Sequence, residues 1–493
     1  MAIHKVLGTE TEYGISVRPA RDFNPALASA QLVNSYPGGR VRVQWSYEEE
    51  SPGRDARGFG HEGFGVADPE GALVNAVLSN GARLYVDHAH PEYSSPECYD
   101  PLEAALYDKV GERIMFRAAM AATELLQSGQ RMSLYKNNSD GKGNSYGAHE
   151  NYLLSRETPF SDVIRYGTTF LVTRQIYTGS GKVGAENSRP ETGFQLTQRA
   201  DFFEEEVGLE TTLKRPIINT RDEPHGDPGK YRRLHVIIGD ANLSETQIFL
   251  KLGTTALFLA AMEDGALPDP LDLADPVQSC WQVSHDLTFR RGLELDGGGT
   301  ASALELQWRY HDWVNKYVES ELAEDDIAHR VVGEWAKVLD DLDTDPARLS
   351  DRLDWAAKRR VLEGYVERDG LAWDHPKLKA LDLQYHDVDP GRSLYHHLLG
   401  RHAIVRLFSD EEVERGEQQP PERTRAYFRG TCVSRFPQSL VAANWDSLVF
   451  DTGEPHLKRI PMMEPLRGDR QLVGALLDSV DDAAGLITAL GGH

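Results

Sequence analysis

Glu10 and Glu12 stand two apart in the segment LGTETEYGI, Leu7 to Ile15, whose threonines and tyrosine favour an extended chain. Strand side chains alternate, so both carboxylates fall on one face while Thr9, Thr11 and Tyr13 fall on the other. One side therefore carries strand-forming bulk and the other stays acidic. Two carboxylates facing one space need a cation.

The same alternation recurs downstream. Ala82 to Asp87 reads as a strand continuing into HAHPEYSSPE, with His88, His90 and Glu92 on one side and Asp87 on the other. Pro91 is expected to bend that strand and bring Asp87 and Glu92 into one site. Tyr146 to Leu154, YGAHENYLL, puts His149 and Asn151 on one strand face, and Leu234 to Ile238 pairs Arg233 with His235 in the same way. An arginine and an imidazole on one strand face serve a site more readily than packing.

The remaining segments supply the frame. Ala26 to Val33 and Leu102 to Leu126 carry helical patterns, and the second is expected to pack behind the sheet. Ser244 and Gln247 form a capping-box pattern ahead of the apolar run Leu252 to Met262, which is too short to cross a bilayer and reads as a core helix. Pro268 to Arg401 is expected to be mostly helical, with helices at 325–342, 346–368 and 376–388. TGSGKVG matches GxGxxG through Gly179, Gly181 and Gly184, but the following ENSRPETGF does not read as the helix a dinucleotide fingerprint must open. A P-loop fails too, because Ile176 stands where its first glycine belongs.

With 493 residues, more than one domain is expected. A catalytic domain is placed over 1–424, with an exposed, glycine-rich loop at about 38–78, and a small C-terminal domain over 425–493, after the charged stretch Ser409 to Thr424. Fifty-three Lys and Arg against 77 Asp and Glu leave a net charge of −24, which argues against general nucleic-acid or anionic-membrane binding. Three cysteines without a CxxC pattern, and no signal peptide, fit a reducing cytoplasm.

Glu10, Glu12, Glu92, His149 and His235 form an oxygen-dominated ligand set with some imidazole. Such a set suits magnesium or manganese, and magnesium shares its coordination with phosphates, which points to a nucleotide. Arg199, Arg221, Arg233, Arg425 and Arg429 could then offset phosphate charge.

At these residues a resemblance emerges. GTETEYG, VDHAHPEYSSPE, GAHENYL, TGSGKVG, RLHVIIGDANLSE and TRAYFRG together resemble the Pup ligase and Pup deamidase family of carboxylate-amine ligases, similar in fold to glutamine synthetase. The matches are spread over essentially the whole chain, and their wording resembles the deamidase branch. The resemblance implies an α+β fold, a concave antiparallel sheet cradle backed by helices, with a small C-terminal domain. It implies ATP and Mg2+ in the cradle and, as partners, Pup, a small disordered protein, and pupylated proteins. The activity implied is deamidation of Pup's C-terminal Gln and cleavage of the isopeptide bond joining Pup to lysines; the alternative is the sister ligase. Asp87 corresponds to the catalytic aspartate, Glu10, Glu12, Glu92, His149 and His235 to metal- or phosphate-facing motifs, and Asn151 and the five arginines to the nucleotide's surroundings. A monomer is expected.

Overall fold

The protein is described by a computed structural model over residues 2–19, 23–42, 44–45, 53–58 and 74–491. Most of the loop at about 38–78 lies outside the described residues. Seven strands build the main sheet: β1 (Leu7–Glu12), β2 (Arg40–Arg42), β3 (Asn75–Leu78), β4 (Arg83–Asp87), β5 (His90–Ser94), β6 (Ala148–Ser155) and β7 (Tyr231–Val236). Their order across the sheet is β7-β6-β1-β5-β4-β3-β2, and every neighbouring pair is antiparallel.

The alternation expected for β1 is present, with Leu7, Thr9 and Thr11 buried and Gly8, Glu10 and Glu12 half-buried on the other face. The strand stops at Glu12. After Tyr13 a separate strand, Gly14–Arg18, pairs with Arg131–Tyr135, so the single segment to Ile15 is two strands. Cross-strand register extends the polar face: Glu12 lies opposite Glu92, Glu10 opposite both Ser94 and His149, and Asn151 opposite both Gly8 and His235.

The back of the sheet is apolar and covered by helices. Helix α1 (Pro101–Glu124) is capped by Asp100 and buries Val110, Ile114 and Met115. It approaches the sheet closely at Gly111, where a Cβ would lie 2.2 Å from the Tyr93 ring. Helix α2 (Glu245–Glu263) is buried almost throughout and contains the apolar run to Met262. Its N-cap is half of the capping box read from the sequence. Ser244 accepts from the Gln247 N–H, but Gln247 Oε1 accepts from the Asp354 N–H and the Ser244 N–H goes to the Asp354 carboxylate. No described helix is long and apolar enough to cross a membrane.

The helical reading of 268–401 is met by helices at Asp326–Thr344, Asp354–Asp369 and Pro376–Tyr385, interrupted by a small hairpin at Gly292–Glu294 and Thr300–Ser302. The charged stretch from Ser409 contains a helix, Asp410–Gly416, and is held down: Glu417 is buried and binds Arg113 and Arg117. Beyond it, the strands Leu440–Ala443, Ser447–Phe450 and Lys458–Pro461 form a second sheet, which Gln44–Trp45 joins in parallel. A separate apolar cluster unites Val41, Trp45 and Val77 with Phe428, Leu448, Phe450 and Leu477.

Candidate metal and nucleotide site

The polar face of the main sheet gathers the acidic and histidine side chains into two adjoining groups. In the first, ligand atoms of Glu10, His149 and His235 lie within 4.8 Å of one another; in the second, carboxylate oxygens of Glu12, Asp87 and Glu92 do the same. All six were singled out by their sequence positions.

The route by which Asp87 joins Glu92 differs from the expected one. β4 and β5 are the two arms of a hairpin, turning at His88 and Ala89 with Asp87 opposite His90 and Tyr85 opposite Glu92. His88 takes the left-handed conformation that the tight turn needs, with φ 53°. Pro91 therefore does not bend one strand but sits within the second arm. His90 and Glu92 do share a face, and His90 Nδ1 reaches Glu12 Oε2 at 2.9 Å.

The electrostatics divide the cluster. Burial opposes ionisation of Glu10, but the His149 hydrogen bond and the Arg233 charge outweigh it and hold its carboxyl well below the usual range. Asp87, beside the hairpin turn with a 40% exposed side chain, is likewise held down: its 3.0 Å contact with His88 outweighs burial. Glu92 goes the other way. Burial and the charges of Asp87, Glu12 and Glu10 push it well above the usual carboxylate range. A buried carboxyl raised by three neighbouring carboxylates marks a place short of positive charge, which a divalent cation would supply. Burial and Arg233 push His235 well down, leaving a neutral imidazole suited to ligation.

Second contacts orient these groups. Asn151 Nδ2 donates to Glu10 Oε1 at 3.0 Å, and its Oδ1 meets His235 Nδ1 at 3.1 Å and Arg233. The Gly147 N–H donates to Glu12 Oε1 at 2.8 Å; a Cβ there would lie 2.8 Å from the same oxygen, so glycine permits the approach.

The arginines are spread more widely. Arg233 lies 3.5 Å from Glu10 and 3.6 Å from Glu223, inside the first group. Arg221 faces Glu223 at 3.8 Å. Arg425 and Arg429 are nearly fully buried and share the single carboxylate of Glu97. Arg199 is buried behind the turn into β6 and bonds to Ser145 and to the Ile237 carbonyl. Beside Glu10 a mostly apolar cavity opens, lined by Gly8, Asn151, His225, Arg425, Trp445 and Pro465 among others. Glu97, His225 and Trp445 were not picked out in the sequence. Glu97 is the last residue of the SSPE motif, whereas His225 and Trp445 carry no local signal.

The chain has known relatives. The Pup-ligase protein family profile matches residues 5–449. A depupylase of Acidothermus cellulolyticus is 51% identical over 503 residues, covering 99% of this chain and 100% of that protein. A Pup deamidase/depupylase of Mycolicibacterium smegmatis is 51% identical over 99% and 100%. A Pup–protein ligase of Micrococcus luteus is 41% identical over 77% of this chain and 84% of the ligase. Among solved structures, the ligase PafA complexed with Pup superposes with a TM-score of 0.80 at 30% identity over 96% of this chain and 92% of that one. PafA complexed with ADP gives 0.74 at 33% identity over 82% and 89%. The family match across most of the chain and the near full-length identity to curated relatives establish that this chain belongs to the Pup-ligase protein family.

Proposed function

We propose that this chain hydrolyses side-chain amides at the C-terminus of Pup, converting a terminal Gln to Glu and releasing Pup from lysines of tagged proteins. The observation that carries this reading is full-length 51% identity to relatives named depupylase or Pup deamidase/depupylase, against 37–41% over 74–83% of the chain for those named ligase.

The residues fit a magnesium-bound nucleotide. Glu10, His149 and His235, with Glu12 and Glu92 beside them, offer the oxygen and imidazole donors. Asn151, Arg221 and Arg233 would face the phosphates, and the cavity beside Glu10, lined by Trp445 and Arg425, would offer the base an apolar seat. When bound, the metal would supply positive charge that polarises the substrate carbonyl and offsets both the acidic floor and the nucleotide's phosphates. A structural neighbour complexed with ADP supports nucleotide binding in this fold.

Asp87 is the group directed at the amide. It is ionised, lies within reach of the metal-holding carboxylates and is open to the substrate. As nucleophile or as base it initiates attack on the carbonyl; one water is consumed and ammonia, or the lysine amine, leaves carrying the added proton. Three buried, unpaired cysteines accord with a cytoplasmic setting.

The test is incubation with Pup ending in Gln, with ATP and magnesium. Ammonia release and a terminal Glu are expected. ATP-dependent coupling of Pup ending in Glu to lysine, without ammonia from the Gln form, would overturn the reading in favour of a ligase.

A further inference from the structure

Two guanidiniums outside the metal groups converge on one short piece of backbone. Arg199 is 1% exposed; its Nε donates to Ser145 Oγ at 3.3 Å and one terminal nitrogen to the carbonyls of Ile237 and Gly239. Arg215, the first residue of the strand Arg215–Asn219, donates to the Ser145 carbonyl at 2.8 Å and to the Thr211 carbonyl at 3.0 Å. Among the described residues neither has an ion-pair partner. Carbonyls and a hydroxyl satisfy N–H groups, while the carboxylates that act on the guanidiniums, Asp240 and Glu12 on Arg199 and Glu12 and Glu204 on Arg215, do so from beyond ion-pair distance and leave one buried and one half-buried cation only partly offset. Burial and the neighbouring Arg215 charge push Arg199 down to about 9. Burial also lowers Arg215, against the pull of Glu12 and Glu204. Such a pair is built to receive an anion.

Its position narrows which anion. Ser145 stands two residues before Gly147, whose N–H binds Glu12, so the pair lies at the Glu12 end of β1. The cavity assigned to the nucleotide base lies towards the other end, at Gly8 and Glu10. The carboxylates of Asp87 and Glu92 gather at the Glu12 end.

We propose that Arg199 and Arg215 bind the free α-carboxylate of the substrate's last residue while its side-chain amide is presented to Asp87. This rests on the hydrolysis proposed above. In a terminal Gln the amide carbon and the carboxylate carbon are separated by four bonds, about 5 Å when extended. A conjugate linked through the side chain keeps the same α-carboxylate, so one anion site serves deamidation and release alike. An internal Gln has no such group, and the pair thereby confines the reaction to the chain end.

The experiment compares Pup ending in Gln with the same chain ending in Gln α-carboxamide, following conversion of the side chain to Glu by mass spectrometry. The native protein is expected to lose about 10- to 100-fold in kcat/KM on the carboxamide, the loss of a charge-assisted contact. Arg215→Gln should lower activity on the free acid and reduce the preference to within about threefold, while Arg215→Lys restores part of it. Nucleotide affinity, measured by calorimetry, should be unchanged in both variants, which separates lost recognition from lost folding. Equal rates on the two substrates in the native protein, or an undiminished preference in Arg215→Gln, overturn the α-carboxylate site. A changed dependence on inorganic phosphate or ATP with the preference intact assigns the pair to a phosphate and also overturns it. No conversion of either substrate by the native protein would instead overturn the hydrolase reading itself.

Discussion

At the scale of single residues, the proposed function divides the work between Asp87 and Glu10. Both carboxyls are held ionised, but by different neighbours: His88 for Asp87, and His149 and Arg233 for Glu10. Asp87 ends a hairpin arm and is open on one side, whereas Glu10 is enclosed by its partners in mid-strand. Asp87→Asn should therefore lower amide hydrolysis by about 100-fold or more while nucleotide affinity changes little. Undiminished ammonia release from that variant would remove Asp87 from the chemistry. Glu10→Ala should do the reverse, weakening metal–nucleotide binding by about tenfold or more, and calorimetry with an unchanged dissociation constant would count against the cradle.

At the scale of elements, the legible parts were those whose signal is local. Period-two alternation identified the shared face of Glu10 and Glu12 and those of His149 with Asn151 and Arg233 with His235, and register then placed them side by side. The β4–β5 hairpin was misread because its turn, His88-Ala89, lacks the Asn-Gly or Asp-Gly that announces such loops, while Pro91 offered a nearer explanation. Long-range pairings had no signal at all. Glu97, just after β5, clamps Arg425 and Arg429 more than 300 residues away, and no spacing rule joins them. Arg429 and Arg425 outweigh burial and hold Glu97 down at about 2 against an ordinary 4.5. The folded pKa is depressed, so the clamp's contribution is complete above about pH 4.5 and lost as pH falls towards 2. At neutral pH it is worth about 3 kcal/mol. Glu97→Gln should show that loss in urea unfolding at pH 7, with the gap from the native chain closing below pH 4.5; a gap independent of pH would mean that the clamp acts through shape and not through charge.

At the scale of the whole molecule, the C-terminal part completes structures begun near the N-terminus. Composition and the charged stretch before it make residues 425–493 read as a separate domain, yet its sheet takes in Gln44–Trp45 and its apolar cluster covers Val41, Trp45 and Val77. Uncovering three such side chains costs about 5 kcal/mol or more, a large part of a typical domain's stability. Truncation after Arg435 should thus leave a chain that unfolds at markedly lower temperature, as read by circular dichroism. The cavity proposed for the nucleotide depends on the same region, because Trp445 and Pro465 line it together with Gly8 and Asn151. Truncation confounds folding with binding, and Trp445→Ala separates them: Trp445 packs edge-on to Trp45 at 5.6 Å but is only partly buried. Its removal should leave the sheet intact and weaken nucleotide binding by about tenfold, the value of one aromatic contact in an apolar seat. If Trp445→Ala binds nucleotide as the native chain does, the base lies elsewhere on the polar face, and the C-terminal part supports the sheet without building the site.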